Sequence, residues 1–348
     1  MRIGIIASKA VSLVNIAKDI AYVAMRRGHA PRITTYIDAP VSIAKMSDCA
    51  ILVYPASPLF CAEYMLLYRE LKVNHGVPCV YYTMIEGRPR KCHIAPWMIR
   101  DVEFVACSNY VREKLSEMGF RVLDVVPHGL VKEVLREAER LVPIARQNLK
   151  RLHGDKIIFG VVSHSHVRKG LQALARAINH LSERRKDFVV HIVTNPETKR
   201  KLQGVPNVYI DTVFGTRSRE EILAFLGAID FLVIPSFAEG FCLPLLEANA
   251  MGTIAIHCAY PPLTEISDLE RNLSFSYEKI EFVNTGEGVE YELHIYDARV
   301  LADFMDYAID IKTNYPSDYE DRKEKLKAVR EKFDAEKLYG KLLAMVGA

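Results

Sequence analysis

Paired cysteines and long apolar runs are both missing from this sequence. Its seven cysteines are an odd number and include no Cys-x-x-Cys pair, so neither a zinc site nor a disulfide framework is indicated. No run reaches the roughly 20 apolar residues that a membrane span needs. The N-terminal MRIGIIAS is typical of a strand rather than a signal peptide. These absences predict a protein of the reducing cytoplasm.

Neither sign of charge dominates, but the two halves of the chain differ. The first 150 residues carry a net charge of +7, and the remainder carries −4. A basic first half indicates an anionic acceptor or a peripheral contact with an anionic membrane, although an ordinary solvated surface would also explain it. No basic–aromatic motif of a nucleic-acid module occurs, so no nucleic-acid partner is predicted.

Strand and helix signals alternate through both halves of the 348-residue chain, and half of the residues are hydrophobic, enough for two cores. Such alternation predicts parallel sheets with helices on both faces. We therefore expect an α/β protein with two Rossmann-like, doubly wound domains. The expected limits are residues 1–150 for the first domain, 151–325 for the second, and 326–348 for a final helix.

The stretch 229–253 carries the densest signal. It opens with an apolar run, Phe231–Ile234, which predicts a buried strand, and continues through a loop into a helix with Pro244 at its start. Glu239 then falls in the loop and Glu247 in the first turns of the helix, beyond the carboxyl end of the strand, where open α/β sheets bind ligands. A helix N-terminus suits a diphosphate, and two carboxylates suit ribose and sugar hydroxyls. The combination indicates a sugar nucleotide.

Residues 235–252, PSFAEGFCLPLLEANAMG, resemble the signature of the retaining glycosyltransferases of family four, in which seven residues separate two glutamates. The resemblance implies that Glu239 contacts hydroxyls of the transferred sugar and that Glu247 binds the ribose of the nucleotide. It also places backbone groups of Gly240 and Phe241 near the sugar and the phosphate. The remaining donor-side positions are Cys242, where the family usually has glycine, and Leu243.

By the same resemblance, the segment after a predicted strand at residues 156–162 supplies cations for the donor diphosphate. Lys169 matches the lysine of the family's Lys-Gly pair. The family's arginine position falls on His164, so either the anion induces this histidine to protonate or Arg168 supplies the missing charge. The loop around Val213 and Phe214 is expected near the base.

The first half departs from the family pattern on the acceptor side. Its first loop lacks glycine, although Lys9 could supply a charge there. The family's histidine is absent after residues 78–83, which leaves Glu86 either to accept a proton from an acceptor hydroxyl or to be a surface carboxylate. His128 replaces a common asparagine and either contacts phosphate or acceptor or packs at the hinge. The basic segment 87–100, with the only tryptophan, suits an acceptor lid, a membrane contact or a packed surface loop.

The resemblance implies the GT-B fold, in which two such domains face a cleft and the last helix packs back on the first domain. We expect a metal-independent retaining glycosyltransferase that uses a UDP- or GDP-sugar as donor substrate, needs no cofactor, and has a glycan or lipid-linked hydroxyl acceptor. Lys169, Glu239 and Glu86 are the candidate catalytic residues. The alternatives are a nucleotide-sugar-binding protein without transfer activity and a GT-B epimerase or phosphorylase.

Overall fold

The structure is a computed structural model that describes residues 1–36, 39–213 and 215–348. The chain divides into two compact units. The first comprises Met1–Val131, Phe282–Glu292 and Phe333–Ala348, and the second comprises Lys132–Glu281 and Leu293–Lys332.

Strands and helices alternate along most of the chain, as the sequence predicts. The strands are β1 (Arg2–Ala7), β2 (Ala30–Thr34), β3 (Cys49–Val53), β4 (Cys79–Thr83), β5 (Gly87–Pro89), β6 (Glu103–Ala106), β7 (Arg121–Val125), β8 (Ile157–Val162), β9 (Phe188–Val193), β10 (Val208–Asp211), β11 (Phe231–Ile234), β12 (Ile254–Cys258), β13 (Leu273–Phe275), β14 (Lys279–Asn284) and β15 (Val289–Ile295). The α-helices are α1 (Val11–Arg26), α2 (Pro40–Met46), α3 (Ala62–Arg69), α4 (Pro96–Asp101), α5 (Asn109–Glu117), α6 (Lys132–His153), α7 (Leu171–Arg184), α8 (Pro196–Lys201), α9 (Arg219–Ala228), α10 (Leu243–Ala250), α11 (Leu263–Ile266), α12 (Ala298–Asn314), α13 (Pro316–Leu326), α14 (Val329–Lys332) and α15 (Ala335–Ala344).

The first unit is built on a six-stranded parallel sheet with the order β2-β1-β3-β4-β6-β7. Every residue of β3 and β4 is buried. Helices that cover both faces of a parallel sheet explain why these strands are continuous apolar runs rather than alternating ones. The sequence by itself predicts a strand over residues 32–37. The strand found there, β2, begins two residues earlier, and Ile37 lies outside the described residues.

The second unit has its own six-stranded parallel sheet, with the order β10-β9-β8-β11-β12-β13. The chain starts in the middle, moves to one edge, and returns to build the other half. The order therefore reverses between β8 and β11, and open sheets of this kind bind ligands at such a reversal, beyond the carboxyl ends of the strands. Phe159 of β8 stacks on Phe231 of β11 with ring centroids 5.6 Å apart, which packs the centre of the core.

The division between the units differs from the predicted limit at residue 150. It falls between Val131 and Lys132, because α6 packs along α9 of the second unit rather than serving as a linker. The hairpin of β14 and β15 also contributes to the first unit, where β15 pairs antiparallel with β5. The final helix, α15, lies against α1, and Arg27 there donates a 2.9 Å hydrogen bond to the carbonyl oxygen of Glu336.

Over its described length the chain offers no helix with both the length and the apolar character to cross a membrane.

Candidate active site

The loop between β8 and α7 is held against the end of β11 by a glycine. Gly170 has a φ of +62°, and a Cβ atom there would lie 1.8 Å from the carbonyl oxygen of Pro235. Only glycine allows both the left-handed backbone and this close approach. A single 3₁₀ turn, Val167–Lys169, precedes it, and the backbone N–H of Phe237 donates to the carbonyl oxygen of Arg168 at 2.7 Å. The loops after β8 and β11 are therefore joined at the reversal point of the sheet.

Glu239 is at the centre of this junction and is only 5% exposed. Its carboxylate accepts hydrogen bonds from Lys169 Nζ at 2.5 Å and from Arg168 Nη1 at 3.2 Å. Arg168 also donates to the carbonyl oxygen of Ala238 at 3.3 Å. Burial raises the pKa of Glu239, but the charges of Lys169 and Arg168 outweigh it and lower this pKa to about 2. The acid is therefore ionised, and the three side chains together carry one net positive charge.

His164 is close to the same cations but carries no charge at neutral pH. Burial, followed by the positive charges of Lys169 and Arg168, lowers its pKa from 6.5 to about 4. Of the two candidates for the missing phosphate-binding charge, Arg168 is thus the one that is charged in this structure. Which of the two meets a bound diphosphate stays a prediction.

Glu247 is the fifth residue of α10 and is 8% exposed. Its Oε1 atom accepts hydrogen bonds from Arg219, at 3.3 Å from Nε and 3.2 Å from Nη2. Arg219 is a site residue that the sequence did not reveal. The capping box of Ser218 and Glu221 is visible in the sequence and predicts that Arg219 is the first residue of α9. The ion pair of Arg219 with Glu247 cannot be predicted in this way, because the two residues are on separate helices.

The turn into α10 is strained where the family has glycine. Cys242 is buried and has a φ of +79°. This left-handed backbone conformation is energetically unfavourable for any residue other than glycine. The backbones of Gly240 and Phe241 lie before it in the same buried turn, and Leu243 begins the helix. Burial raises the pKa of the Cys242 thiol well above its usual range, so it stays neutral.

Tyr260, in the loop after β12, packs beside the loop that follows β11. The ring of Tyr260 stacks on His294 with centroids 4.3 Å apart, and its hydroxyl donates to the carbonyl oxygen of Ser236 at 2.9 Å. The loop predicted to lie near the base follows β10. In this loop the backbone N–H of Thr216 donates a hydrogen bond to the carbonyl oxygen of Val213 at 3.1 Å. Phe214 lies outside the described residues.

The acceptor-side candidates follow three strands of the first sheet. Lys9, Glu86 and His128 come after β1, β4 and β7, so the parallel arrangement brings all three to the carboxyl edge of that sheet. Lys9 is exposed and Glu86 is half-buried. In the segment 87–100, the guanidinium of Arg69 covers Trp97 at 5.9 Å from the ring centroid, which gives the tryptophan a packing partner within its own unit.

His128 is 2% exposed and is fixed by the hydroxyl of Tyr82, 2.8 Å from its Nδ1 atom. The same hydroxyl lies 2.7 Å from the carbonyl oxygen of Val126. A hydroxyl has one proton, which must go to the carbonyl, so Nδ1 of His128 carries the proton and donates. His128 is thus packed and hydrogen-bonded, while its contact with phosphate or acceptor stays a prediction.

The part of the chain that the structure describes contains no group of three or more His, Cys, Asp or Glu side chains that could hold a metal ion.

Solved glycosyltransferase structures share the fold of this chain. The chain resembles a glycosyltransferase from Rickettsia africae, with a TM-score of 0.70 and 15% identity over 99% of this chain and 97% of that one. It also resembles Anabaena Alr3699/HepE in complex with UDP and glucose, with a TM-score of 0.68 and 12% identity over 100% of this chain and 99% of that one. The predicted α/β fold with two doubly wound sheets is confirmed, and it is that of the GT-B glycosyltransferases.

Sequence comparisons give partial matches to glycosyltransferases. Residues 156–281 match the family described as "Glycosyl transferases group 1". An uncharacterised glycosyltransferase 335 of Sulfolobus islandicus rod-shaped virus 1 is 28% identical over 99% of this chain and 100% of the relative. The matched segment 156–281 contains every donor-side candidate named above.

Proposed function

We propose that this chain is a metal-independent, retaining glycosyltransferase that moves a sugar from a nucleotide donor to a hydroxyl acceptor. The observation that carries the proposal is the buried cluster of Arg168, Lys169 and Glu239 at the reversal point of the second sheet. A UDP-sugar is the favoured donor, because Anabaena Alr3699/HepE, which shares the fold, has been solved with UDP-glucose. A GDP-sugar is the other option.

The cluster suits a diphosphate because its net charge is positive. Lys169 has three N–H donors, of which Glu239 uses one, and Arg168 has five in a planar fork. Negative charge that develops on the leaving diphosphate would be stabilised by these donors. Glu239 would keep both cations aligned and accept hydrogen bonds from sugar hydroxyls, while Glu247, oriented by Arg219, would accept from the ribose.

Retention is proposed to proceed by front-face displacement, in which the leaving phosphate oxygen takes the proton of the acceptor hydroxyl. The bond from the anomeric carbon to phosphate breaks as the bond to the acceptor oxygen forms on the same face. Glu86 is the first-unit carboxylate proposed to orient that hydroxyl. The protein cations supply the charge stabilisation that a divalent ion would otherwise give, so chelation should leave the rate unchanged.

The acceptor is proposed to be a glycan or a lipid-linked glycan, with the reaction in the cytoplasm, at the membrane face when a lipid carries the acceptor. An exposed basic–aromatic contact in the first unit supports the lipid case. Phe282 is 52% exposed, and the guanidinium of Arg88 lies 4.8 Å from its ring centroid. Such pairs suit anionic interfaces. Sedimentation with anionic vesicles, but not with zwitterionic ones, would support this contact.

Donor binding is the first test. Thermal unfolding with UDP-glucose, UDP-N-acetylglucosamine and GDP-mannose should identify one donor, which at 100 times its Kd adds about 2.7 kcal/mol of stability. Glu247→Ala should abolish that shift, whereas Glu324→Ala, a change at an exposed glutamate of α13, should preserve it. An unchanged response in Glu247→Ala would overturn the ribose assignment.

Turnover is the second test. The product of a transfer assay should keep the donor's anomeric configuration in its NMR spectrum, and EDTA should not reduce the rate. An inverted product would refute the retaining mechanism. Donor binding without transfer to any glycan or glycolipid would instead identify a nucleotide-sugar-binding protein, and phosphate-dependent cleavage of an oligosaccharide would identify a phosphorylase.

A further inference from the structure

A second pocket lies within the second unit, between α6, α9 and the edge strand β10. Its volume is about 260 Å³, just below the usual range for sites that hold drug-sized ligands. Its lining shares no residue with the donor-side candidates, so a ligand bound here would not depend on the proposed transferase function.

One wall of the pocket is a mostly apolar stripe of α6. Its members recur at helical spacing: Leu141, Ile144, Ala145, Leu149 and Leu152 are apolar, and Asn148 is polar. Ile144 is 57% exposed and Leu152 is 49% exposed. Phe225 of α9 faces the stripe across the pocket. An apolar ligand body would thus cover side chains that now meet solvent.

The floor of the pocket is polar and incompletely hydrogen-bonded. His191 of β9 is 4% exposed, and its Nε2 atom is buried without a hydrogen-bond partner. That nitrogen lies 3.8 Å from Oδ2 of Asp211, too far for a direct hydrogen bond. A buried polar atom without a partner costs about 1–3 kcal/mol, so a group that reached it would gain this free energy.

The protonation state of His191 follows from its surroundings. Burial lowers its pKa from 6.5 to about 3, so the ring is neutral near pH 7. Its Nδ1 atom is 2.9 Å from Nε2 of His153. A lone pair on Nε2 of His191 would be repelled by the Asp211 carboxylate. In the favoured tautomer, Nε2 of His191 therefore carries the proton and points it toward Asp211, and Nδ1 accepts a hydrogen bond from His153.

A hydroxyl oxygen about 2.8 Å from both atoms would accept from Nε2–H of His191 and donate to Oδ2 of Asp211. Because Nε2 is buried, the side chains around it must move apart to admit this oxygen. A charged group fits less well, because Arg217 already pairs with Asp211 at 2.5 Å and Glu221 is held in the cap of α9 by the backbone N–H of Ser218 at 2.8 Å. An extra buried charge would lack a counter-ion.

We propose that this pocket is a second ligand site, which binds a small uncharged alcohol. The hydroxyl bridges His191 and Asp211, and the apolar body packs between the α6 stripe and Phe225.

Phenol and toluene test the proposal, since they have nearly the same shape and differ by a hydroxyl. In a protein-observed NMR titration of the full chain without nucleotide, phenol should bind saturably and shift resonances of β9, β10 and α6. Toluene should bind at least about fivefold more weakly, the effect expected of one hydrogen bond. The response should persist in Glu247→Ala, which separates this result from the fate of the donor assignment.

Three variants sharpen the test. Ala145→Trp fills the pocket and should abolish phenol binding, whereas Gln147→Trp, on the same helix but off the stripe, should retain it. His191→Phe keeps a ring and removes the nitrogen, so phenol and toluene should then bind equally.

Three results would overturn the proposal. The first is equal binding of the two probes to the unaltered chain, and the second is phenol binding that survives Ala145→Trp. The third is a crystal soaked in phenol that shows only a water between His191 and Asp211.

Discussion

The carboxyl edges of the two parallel sheets differ in how their charged groups are held. At the second sheet, Arg168, Lys169 and Glu239 are buried and ion-paired. At the first sheet, Lys9 is exposed, and the buried His128 is hydrogen-bonded to the hydroxyl of Tyr82. The proposed donor site therefore lies on a buried, ion-paired cluster of the second unit, whereas the proposed acceptor-side residues follow three different strands of the first. Substitutions on the two sides should therefore have separable effects on donor binding and on transfer.

The largest effect is expected from Lys169→Ala. It removes the closest cation from Glu239 and from the proposed diphosphate site, so the transfer rate should fall by about 10²–10³-fold. Steady-state kinetics with the identified donor would measure this. Lys325→Ala, a change at a half-exposed lysine that pairs with Asp321, is the matched control and should leave the rate intact. A Lys169→Ala rate within a factor of three of the unaltered enzyme would contradict the donor-side assignment.

Arg219→Ala should have the next largest effect, this time on stability. It leaves the Glu247 carboxylate buried without its guanidinium, and breaking a buried pair costs about 3–5 kcal/mol. Urea denaturation should show a lower midpoint, and the affinity for the donor should fall. Arg140→Ala, which removes an exposed pair with Glu137, should cost less than about 1 kcal/mol. Similar midpoints for the two variants would show that Arg219 does not hold Glu247.

Acid should weaken the second unit before the first. Burial lowers the pKa of His257 to about 4 and of His191 to about 3, both from 6.5. Because the unfolded chain binds these protons more readily, the stabilisation is complete above pH 6.5 and is lost as the pH falls toward 4. Glu239 adds a further loss below pH 4.5, since its pKa is lowered to about 2.

Hydrogen exchange at pH 7 and pH 5 would measure this difference. Amides of β9 and β12 should lose protection on acidification, while those of β1 and β3 serve as the internal reference. Equal losses in the two sheets would contradict the assigned cause.

The smallest effect is expected from Cys242→Gly. Glycine adopts a φ of +79° without strain, which should stabilise the fold by about 1 kcal/mol. Because the substitution also removes a buried side chain, the melting temperature should rise only slightly. The same change at Cys258, in the extended strand β12, should lower it. If both substitutions destabilise equally, the left-handed turn is not strained.

Local signals were enough to predict the fold. Pro244 and Gly252 mark the limits of α10 because proline and glycine act on their own backbone. The apolar run at Phe231–Ile234 became β11, since a strand buried on both faces needs no alternation. The resemblance named Lys169 and Glu239 separately; it did not predict their ion pair, which joins two loops that are far apart in the sequence.

Long-range features were not accessible from the sequence. The pairing of Arg219 with Glu247 joins two helices that pattern alone cannot orient. The neutral state of His164 depends on burial and on two neighbouring cations, neither of which a motif reports. The predicted boundary between the units lies after the one in the structure, because the polar composition of α6 is typical of a linker. In the structure α6 is part of the second unit, and one of its faces is buried through Leu135, Ala138 and Leu149.

The division of the chain has a consequence for its synthesis and dissection. The backbone passes from one unit to the other four times, so the first unit is assembled from three separate pieces. A nascent chain that ends at Val131 would lack α15 on one side of α1 and the β15 partner of β5. The first unit must therefore wait for residues 333–348 to leave the ribosome before it can complete its core, and a fragment cut after Val131 should be prone to aggregate.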